Sequence, residues 1–368
     1  MCHSTGVLIV GAGPAGLATA IAARNKGFKV TVADGAKPLI DKACGEGLLP
    51  GAVAALRELG IRIQAGDGQS FQHIRFIDGM TFAEAKFPGE AGMGVRRTVL
   101  HRKMVERAEE TGVELLWNSP VTELSRGGAV VGAKLIQAKW IVGADGIRSR
   151  VRRWSGLDTS APREIRFAQR RHYRVNLCTD CVEVYWGPMI QAYVTPLTDE
   201  ETCVVLISRD SSMRFDEVLR KFPELASRLM NVELSSVQRG AVTAMCKLKR
   251  VYNGNIALTG DASGSVDAIT GEGLGLSFRQ AMALADSLET GNLKKYQLAH
   301  RQLARRPEAM ARLLLLLDRY KPLRWRVLRE MAEDPEVFAS ILTAHVTEST
   351  SKRRAATSAR LGWRLITV

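Results

Sequence analysis

The chain has 368 residues, of which 46% are hydrophobic and 24% are charged. This length and composition exclude a disordered chain, a collagen-like fibre and a disulfide-stapled miniprotein, and they favour one large or two interlocked globular domains. The 52 Lys and Arg residues outnumber the 38 Asp and Glu residues, which gives a formal net charge of +14. This excess points to a nucleic acid, an anionic membrane or an acidic ligand as a partner.

The cysteine content and the N-terminal sequence indicate the cellular compartment. Six irregularly spaced cysteines in a long chain do not form a disulfide framework, so a reducing environment is expected. No basic segment or cleavage site precedes the apolar run Gly6–Val10, which excludes a signal peptide. The most apolar stretch, Leu313–Leu317, is far shorter than the roughly 20 residues of a membrane span. We therefore expect a cytoplasmic protein.

The first predicted elements are a short apolar strand, Val7–Val10, a glycine-rich turn and a helix. Gly11 permits the tight turn, Gly13 lets the backbone approach a pyrophosphate, and Gly16 lets the helix lie close to the strand. Free N–H groups and the positive dipole end at the helix start favour phosphate binding. The residues that we expect to contact the phosphates are Gly11, Gly13, Pro14, Ala15 and Gly16.

A second predicted strand, Lys29–Ala33, ends at Asp34, which lies 18 residues beyond Gly16. A carboxylate at this position can accept hydrogen bonds from both hydroxyls of an adenosine ribose. The alternative interpretation is a solvated residue at a strand end. Strand, turn, helix and acid together predict an adenine dinucleotide site.

Later segments repeat this arrangement and favour FAD over NAD. The strand Trp140–Val142 runs into Gly143–Gly146, and the strand Asn255–Leu258 runs into a glycine–aspartate pair before a second helix start. Asp261 can hold a polyol hydroxyl, and the N–H groups of Gly273 and Leu274 can face an electron-rich ring edge. The residues expected to contact the cofactor here are Asp145, Gly146, Gly260, Asp261, Gly271, Gly273 and Leu274.

These three motifs together resemble the FAD motifs of the aromatic-hydroxylase-like flavoprotein superfamily, which includes monooxygenases, geranylgeranyl reductases and halogenases. The resemblance covers about residues 5–290. It implies an α/β fold with a Rossmann-type FAD-binding domain of the glutathione-reductase kind, an interleaved antiparallel β-sheet substrate domain and C-terminal helices. It also implies FAD as the cofactor, NADH or NADPH as the reductant and a small-molecule substrate.

The expected domains are discontinuous. Residues 1–65, 96–162 and 251–295 are assigned to the FAD-binding domain. Residues 66–95 and 163–250 contain alternating strands and are assigned to the substrate domain, and residues 296–368 form a C-terminal helical segment.

Two segments resemble the geranylgeranyl reductase branch. Ala43–Leu48 is similar to its Cys-Gly-Asp/Gly-Gly-Leu turn, and Gly260–Gly273 is similar to its flavin loop, with Ala268 where a proline is usual. Three aromatic positions of its substrate motif are replaced, by Gln191, Tyr193 and Thr195. We therefore favour a monooxygenase that hydroxylates an apolar or aromatic molecule. An isoprenoid C=C reductase is the alternative, and a non-catalytic flavin-binding protein with a basic tail is a third hypothesis.

Several single residues have two interpretations each. An arginine at the position of Arg97 reaches FAD in the superfamily, with Arg96 and Arg102 as competitors and a solvated helix face as the alternative. Val121 resembles the residue whose backbone meets the adenine, but a core position is equally compatible. Cys44 is the candidate thiol near the flavin, with a structural buried thiol as the alternative.

The remaining cysteine and histidine residues give no metal site. Cys178-Thr-Asp-Cys181 is a lone CxxC pair, and its alternating neighbours predict a β-hairpin with Thr179 and Asp180 in the turn. The six histidines have no ligand spacing.

Half of the excess positive charge lies near the C-terminus, with 14 Lys and Arg against 7 Asp and Glu from Tyr296 onward. The pattern predicts helices from Leu298 to Tyr320, from Leu323 to Met331 and from Pro335, with a frayed end from Ser349 to Val368. We expect these helices to cover the FAD-binding domain. The alternative is peripheral contact with an anionic membrane. No nucleic-acid motif supports a nucleic-acid partner, and nothing indicates the oligomeric state.

Overall fold

The structure is a computed structural model and describes residues 3–125, 127–158 and 163–346. These residues form ten helices and three sheets. The helices are α1 (Pro14–Asn25), α2 (Pro50–Glu58), α3 (Arg97–Glu110), α4 (Arg150–Trp154), α5 (Phe215–Leu219), α6 (Pro223–Arg228), α7 (Gly273–Glu289), α8 (Leu293–Arg319), α9 (Lys321–Glu333) and α10 (Pro335–Val346).

The strands alternate with these helices along the chain. In chain order they are β1 (His3–Val10), β2 (Val30–Ala33), β3 (Gly47–Leu48), β4 (Gln69–Phe71), β5 (His73–Asp78), β6 (Thr81–Lys86), β7 (Gly92–Gly94), β8 (Glu114–Leu116), β9 (Val121–Ser125), β10 (Gly128–Val131), β11 (Lys134–Gly143), β12 (Arg163–Tyr173), β13 (Cys181–Gly187), β14 (Ile190–Thr198), β15 (Glu201–Ser208), β16 (Arg239–Lys247), β17 (Tyr252–Asn253), β18 (Ile256–Leu258) and β19 (Gly264–Ser265).

The first sheet has a parallel centre in the order β18, β11, β1, β2 and β8. Val7, Leu8 and Ile9 have no exposed surface, as is typical of a parallel sheet covered on both faces. The carboxyl ends of the parallel strands meet at one edge, where ligands bind in such sheets. Gly11 and Asp34 follow β1 and β2 at this edge. This arrangement confirms the predicted α/β fold class.

The second sheet has the order β19, β16, β12, β15, β14, β13, β5 and β6. All its pairings are antiparallel except that of β13 with β5. The hairpin predicted around Thr179 and Asp180 is wrong, because β12 pairs with β15 and β16 whereas β13 pairs with β14 and β5. A disulfide joins Cys178 to Cys181 in the connection, and Asp180 accepts hydrogen bonds from the backbone N–H of Gln72.

A small third sheet, in the order β3, β7 and β4, joins the two larger ones. Its contact with the second sheet is very close, since a Cβ at Gly94 would lie 1.7 Å from the carbonyl oxygen of Pro196 on β14. The turn that carries Cys44 enters this sheet at β3.

The C-terminal helices divide between the two larger units. α8 packs on α7 beside the first sheet, but α9 and α10 pack on β6 of the second sheet. The prediction that these helices cover the FAD-binding domain is therefore wrong for α9 and α10. The apolar positions of these helices, such as Val327 and Phe338, form one core with Phe76 and Trp186 of the second sheet. The predicted frayed end, Ser349–Val368, lies outside the described residues, and no described helix is long and apolar enough to cross a bilayer.

Candidate active site

A cavity of about 1360 Å³ extends from the carboxyl edge of the first sheet to the C-terminal helices. It brings together most of the residues that the sequence predicts as cofactor contacts. Those at its wall are Gly11, Gly13, Pro14, Ala15, Asp34, Cys44, Arg97, Val121, Asp145, Gly146, Gly260, Asp261, Gly271, Gly273 and Leu274. Gly16 lies behind the wall, where a Cβ would come within 1.8 Å of the carbonyl oxygen of Gly11.

The glycine turn after β1 forms one end of the cavity. Gly11 has φ +106°, a conformation that residues with a side chain rarely adopt. A Cβ there would also lie 2.6 Å from the carbonyl oxygen of Ala144. Both observations exclude a side chain at this position. A Cβ at Gly13 would meet no protein atom within 4 Å, because that space belongs to the cavity. α1 begins at Pro14 and points its N-terminus at this space, which suits a phosphate.

His101 supports the turn from behind, and the sequence analysis missed it. Its Nε2 lies 2.9 Å from the carbonyl oxygen of Ala12, and its side chain is fully buried. Burial lowers the pKa of His101, so the ring is neutral and donates to this carbonyl.

Asp34 is tied to the same turn rather than solvated. Its Oδ2 accepts the N–H of Ala12 at 2.7 Å, and its Oδ1 accepts the N–H of Ala36 at 2.8 Å. Each carboxylate oxygen keeps a further lone pair for a ribose hydroxyl. Pro120 and Val121, at the start of β9, line the wall beside it.

Asp145 has a structural role in addition to its position at the wall. Its carboxylate accepts hydrogen bonds from the Ser149 hydroxyl at 2.5 Å and from the Arg150 N–H at 2.6 Å, which fixes the start of α4. Gly146 follows with φ +78°. Lys42 and Arg148 also line this part of the cavity and add positive charge to it.

Among the three competing arginines, Arg97 is the one at the cavity wall. Arg96 forms a two-pronged ion pair with Glu201, and Arg102 pairs on the surface with Glu106. The Nε of Arg97 is buried and has no hydrogen-bond partner among the described residues. Because a buried donor without an acceptor is costly, this group suits a ligand acceptor in the cavity.

The opposite end of the cofactor region is the start of α7. α7 begins at Gly273, and Gly271 before it has φ +66°. A Cβ at Gly273 would meet no protein atom within 4 Å, so the helix N-terminus faces open space. The Asp261 carboxylate receives no hydrogen bond from a described residue, and its enclosed position raises its pKa. The turn, the acids, Arg97 and this helix start fit the phosphates, hydroxyls and ring edge of FAD.

Cys44 lies at the wall between the two ends. Its Sγ accepts the N–H of Glu46 at 3.4 Å, and burial raises the pKa of the thiol. A raised pKa disfavours the nucleophilic thiolate. The geometry therefore suits a protonated thiol at the wall.

A buried polar network lies behind Cys44, and no motif in the sequence predicted it. Glu46 accepts hydrogen bonds from the N–H of Arg97 at 2.9 Å, from Arg170 Nη1 at 3.0 Å and from His172 Nε2 at 2.5 Å. His172 and Cys203 approach Glu46 with metal-ligand spacing, but Arg170 bonded to the same carboxylate disfavours a cation there. Arg97 is 51 residues from Glu46 in sequence, and Arg170 and His172 are more than 120 residues away, so no local pattern links them.

The rest of the cavity is an apolar chamber between the second sheet and the C-terminal helices. Its walls are aromatic and aliphatic, and they include Phe71, Phe76, Trp186, Leu314, Val327 and Phe338. Tyr193 brings a hydroxyl to the wall, where it donates to Gln191 Oε1 at 3.1 Å, and burial raises its pKa. Such walls favour a hydrocarbon or aromatic ligand.

A buried charge cluster holds the loop between the two parts of the cavity. Arg166 forms an ion pair with Asp267 and donates to Gln191 Oε1 at 2.8 Å. Gln191 in turn donates to Asp318 of α8 at 3.2 Å. The loop of Ala268–Thr270, which lines the cavity, is thereby connected to a C-terminal helix.

Comparisons with known proteins agree with this geometry. The digeranylgeranylglycerophospholipid reductase of Methanothrix thermoacetophila is 26% identical over 319 residues, which cover 78% of this chain and 79% of that protein. The menaquinone reductase of Mycobacterium tuberculosis is 28% identical over 344 residues, covering 86% and 81%. The solved structure of a flavin-dependent brominase, Bmp2, has the same fold with a TM-score of 0.82 at 18% identity, covering 99% of this chain and all of that one.

The model of the FAD binding domain family matches residues 4–292. This range includes the glycine turn, Asp34, Arg97, Asp261 and the start of α7. The chain therefore belongs to the FAD-binding domain family and is an FAD-dependent oxidoreductase.

Proposed function

We propose that this enzyme reduces C=C bonds in an isoprenoid chain, with NADH or NADPH as the source of electrons. The apolar chamber is the observation that carries this proposal. Its walls offer a long hydrocarbon surface and few polar partners, and burying such a chain is favourable by about 25 cal/mol per Å². Two of the relatives act, by their names, on a digeranylgeranylglycerophospholipid and on menaquinone.

The cofactor-binding residues would hold FAD with its redox-active ring towards the chamber. FAD, when bound, supplies hydride transfer. The start of α1 and Arg97 would hold the phosphates, and the positive end of α7 would stabilise negative charge at the ring edge. The apolar walls would exclude water from the reacting carbons.

Saturation of a C=C bond needs a proton as well as a hydride, and two groups at the wall can hold one. Cys44 and Tyr193 both line the cavity, and burial raises the pKa of each side chain. Both groups therefore stay protonated at neutral pH, as a proton donor must. Replacement of Sγ in Cys44→Ala or of Oη in Tyr193→Phe tests which atom supplies the proton.

A second candidate function is NAD(P)H- and O₂-dependent hydroxylation of an apolar or aromatic molecule. The aromatic walls of the chamber, with Phe71, Phe87 and Trp186, favour this alternative because they can stack against a substrate ring. The same dry chamber would limit the wasteful release of hydrogen peroxide.

One experiment separates the two functions. The FAD-loaded protein is reduced with NADH, NADPH or dithionite in the absence of oxygen and is given a detergent-dispersed geranylgeranyl lipid that has no quinone ring. A mass gain of two hydrogens per reduced bond without oxygen supports the reductase. Turnover that requires oxygen and adds one oxygen atom to the product supports the monooxygenase and contradicts the main proposal.

A further inference from the structure

The C-terminal half of α8 and the first turns of α9 have an unusual exposed surface, which we call the basic–apolar face. Between residues 309 and 329, the exposed positions include five basic and no acidic residues. The basic residues are Arg312, Arg319, Lys321, Arg326 and Arg329. The large apolar residues on the same face are Leu313, Leu316, Tyr320 and Trp325, which are 39%, 43%, 52% and 48% exposed.

The exposed apolar residues form a stripe at the end of α8. Leu313 and Leu316 are spaced by three residues, so they lie on one side of the helix, and Tyr320 follows directly after the helix end. Trp325 continues the exposed apolar surface on α9, where the Arg329 guanidinium lies 5.4 Å from the centre of its ring. An aliphatic stripe with a Tyr, a Trp and flanking arginines is the composition of a helix that lies in a membrane interface.

The basic residues carry charge that is available to a partner. Lys321 and Arg326 form no ion pair with a described residue. Arg312, Arg319 and Arg329 each pair with one acidic residue at the edge of the face, with Glu308 at 3.5 Å, Glu164 at 3.1 Å and Glu333 at 2.7 Å respectively. Exposed pairs of this kind are weak and exchange readily with other anions. The face therefore fits a surface of negative charge.

The stripe also reaches the chamber. Leu313 and Leu316 are partly exposed and at the same time line the cavity, whereas Leu314 and Leu317 lie deeper in its wall. An apolar path therefore connects the outer surface of α8 with the interior of the chamber. A hydrocarbon chain that follows this path need not cross a polar surface.

The face is held rigidly at the corner between α8 and α9. Arg324 is buried, and its Nε donates to Asp78 Oδ2 on β5 at 2.8 Å. Its Nη1 donates to the carbonyl oxygens of Leu317 and Asp318 at the end of α8. Both helices are thus fixed to the second sheet while their outer side chains stay exposed.

We propose that the basic–apolar face docks on the surface of an anionic lipid bilayer and that the substrate chain enters the chamber beside Leu313 and Leu316. The entry route rests on the proposed function, but the docking does not. Docking requires only the face itself, so it is measured by vesicle binding without turnover. A failure of vesicle binding and a failure of C=C reduction are therefore distinguishable results.

The test uses the full FAD-loaded chain and vesicles of phosphatidylcholine alone or of equimolar phosphatidylcholine and phosphatidylglycerol. We expect sedimentation with the anionic vesicles and a loss of binding as salt is raised. Each basic residue near an anionic surface strengthens binding by about fivefold, so Lys321→Glu with Arg326→Glu is expected to weaken binding by about 25-fold or more. The matched control, Arg220→Glu with Lys221→Glu, makes the same change of net charge at two exposed residues between α5 and α6 and is expected to leave binding unchanged.

A second measurement locates the contact. Vesicles with brominated acyl chains are expected to quench a tryptophan component that is absent in Trp325→Phe. Neither Trp325 nor Arg326 lines the cavity, so turnover of a detergent-dispersed substrate is expected to stay at the wild-type rate in Trp325→Phe and in Lys321→Glu with Arg326→Glu.

Three results would overturn the proposal. The first is equal binding by the wild type and by Lys321→Glu with Arg326→Glu. The second is a loss of binding when Lys352, Arg353 and Arg354 are replaced by glutamate, together with unchanged binding in Lys321→Glu with Arg326→Glu. This result would assign the membrane contact to the segment that contains residues 352–354. The third is that the wild type is a dimer that does not bind vesicles, whereas Trp325→Glu is a monomer. This result would show that the face binds a second copy of the chain.

Discussion

His172 Nε2 lies 2.5 Å from Oε2 of Glu46, so a histidine of the second sheet contacts the turn that carries Cys44. The other oxygen of Glu46 accepts hydrogen bonds from Arg170 Nη1 and from the N–H of Arg97. All of these groups are buried. One carboxylate therefore fixes the Cys44 turn, the start of α3 and β12 relative to one another.

We expect Glu46→Gln to lower the free energy of unfolding by about 1.5–3 kcal/mol, because it removes the charged acceptor of the hydrogen bonds from Arg170 and His172, whereas Arg170 keeps its ion pair with Asp41. Urea-induced unfolding of the variant and the wild type measures this difference. Glu58→Gln changes an exposed carboxylate and serves as the control, with an expected change within about 0.5 kcal/mol. A loss of less than about 1 kcal/mol in Glu46→Gln would show that the network contributes little.

Two glycine substitutions separate folding from cofactor binding. Gly13→Ala adds a methyl group to open cavity space, so we expect the FAD-free protein to keep its Tm while the Kd for FAD rises about tenfold or more. Gly16→Ala places its Cβ against the Gly11 carbonyl and is expected to lower the Tm of the FAD-free protein as well. Thermal unfolding and flavin fluorescence titration provide the two measurements. Equal FAD affinity in Gly13→Ala and the wild type is the result that contradicts this role of Gly13.

Local patterns predicted the fold and the cofactor well. A strand, a glycine turn and a helix start are adjacent in sequence, so Gly11, Asp34 and Gly273 could each be named as candidates from their own segments, and all three line the cavity. The burial of the β1 strand and the need for a glycine at position 16 follow from the same local geometry. The family match confirms the FAD-binding fold that these patterns indicate.

Interactions between distant segments could not be predicted in this way. Alternating residues on both sides of Cys178 and Cys181 suggested a hairpin, but strand pairing depends on the register of the whole second sheet, and β13 pairs with β5 instead. The apolar sides of α9 and α10 were visible in sequence, but the surface that they cover was not. Glu46 likewise lay in a recognised turn, whereas its partner His172 had no signal.

The chamber predicts a dependence on substrate chain length. Val327 lies at the chamber wall on α9, which packs on the second sheet rather than on the first, and Val327→Phe adds volume there. We expect kcat/KM for a geranylgeranyl substrate to fall about tenfold while a substrate with one or two isoprene units is unaffected. Overpacking costs about 1–3 kcal/mol, so the Tm of the variant is measured beside the kinetics. Equal losses for the long and the short substrate would place the chain elsewhere.

Cys44 is expected to behave as a protonated, slowly reacting thiol. Burial raises its pKa, so the thiolate fraction is small at neutral pH and grows only as the pH rises above the ordinary range of a cysteine. We expect alkylation of Cys44 by iodoacetamide to be slower than that of free cysteine at pH 8 and to be slowed further by bound FAD, which would cover this wall. Mass spectrometry of the labelled peptide measures both rates. Fast labelling at pH 7 would indicate an activated thiolate instead.

His300 on α8 gives the enzyme a defined sensitivity to acid. Its Nε2 lies 2.8 Å from the Ser263 hydroxyl beside the Gly260–Asp261 turn, and burial, together with the nearby Arg301 and Lys247, lowers its pKa to about 4. At His300 the unfolded chain binds a proton near pH 6.5 and the folded chain does not. The contribution of His300 to the free energy of unfolding is therefore fully present above pH 6.5 and is lost as the pH falls towards 4, by about 3 kcal/mol in total.

His300→Gln keeps a side chain that can bond to Ser263 but removes the titration, so its free energy of unfolding is expected to fall less than that of the wild type between pH 7 and pH 4. Denaturant unfolding of both proteins across this range measures the difference, and parallel pH profiles would exclude His300 as the source.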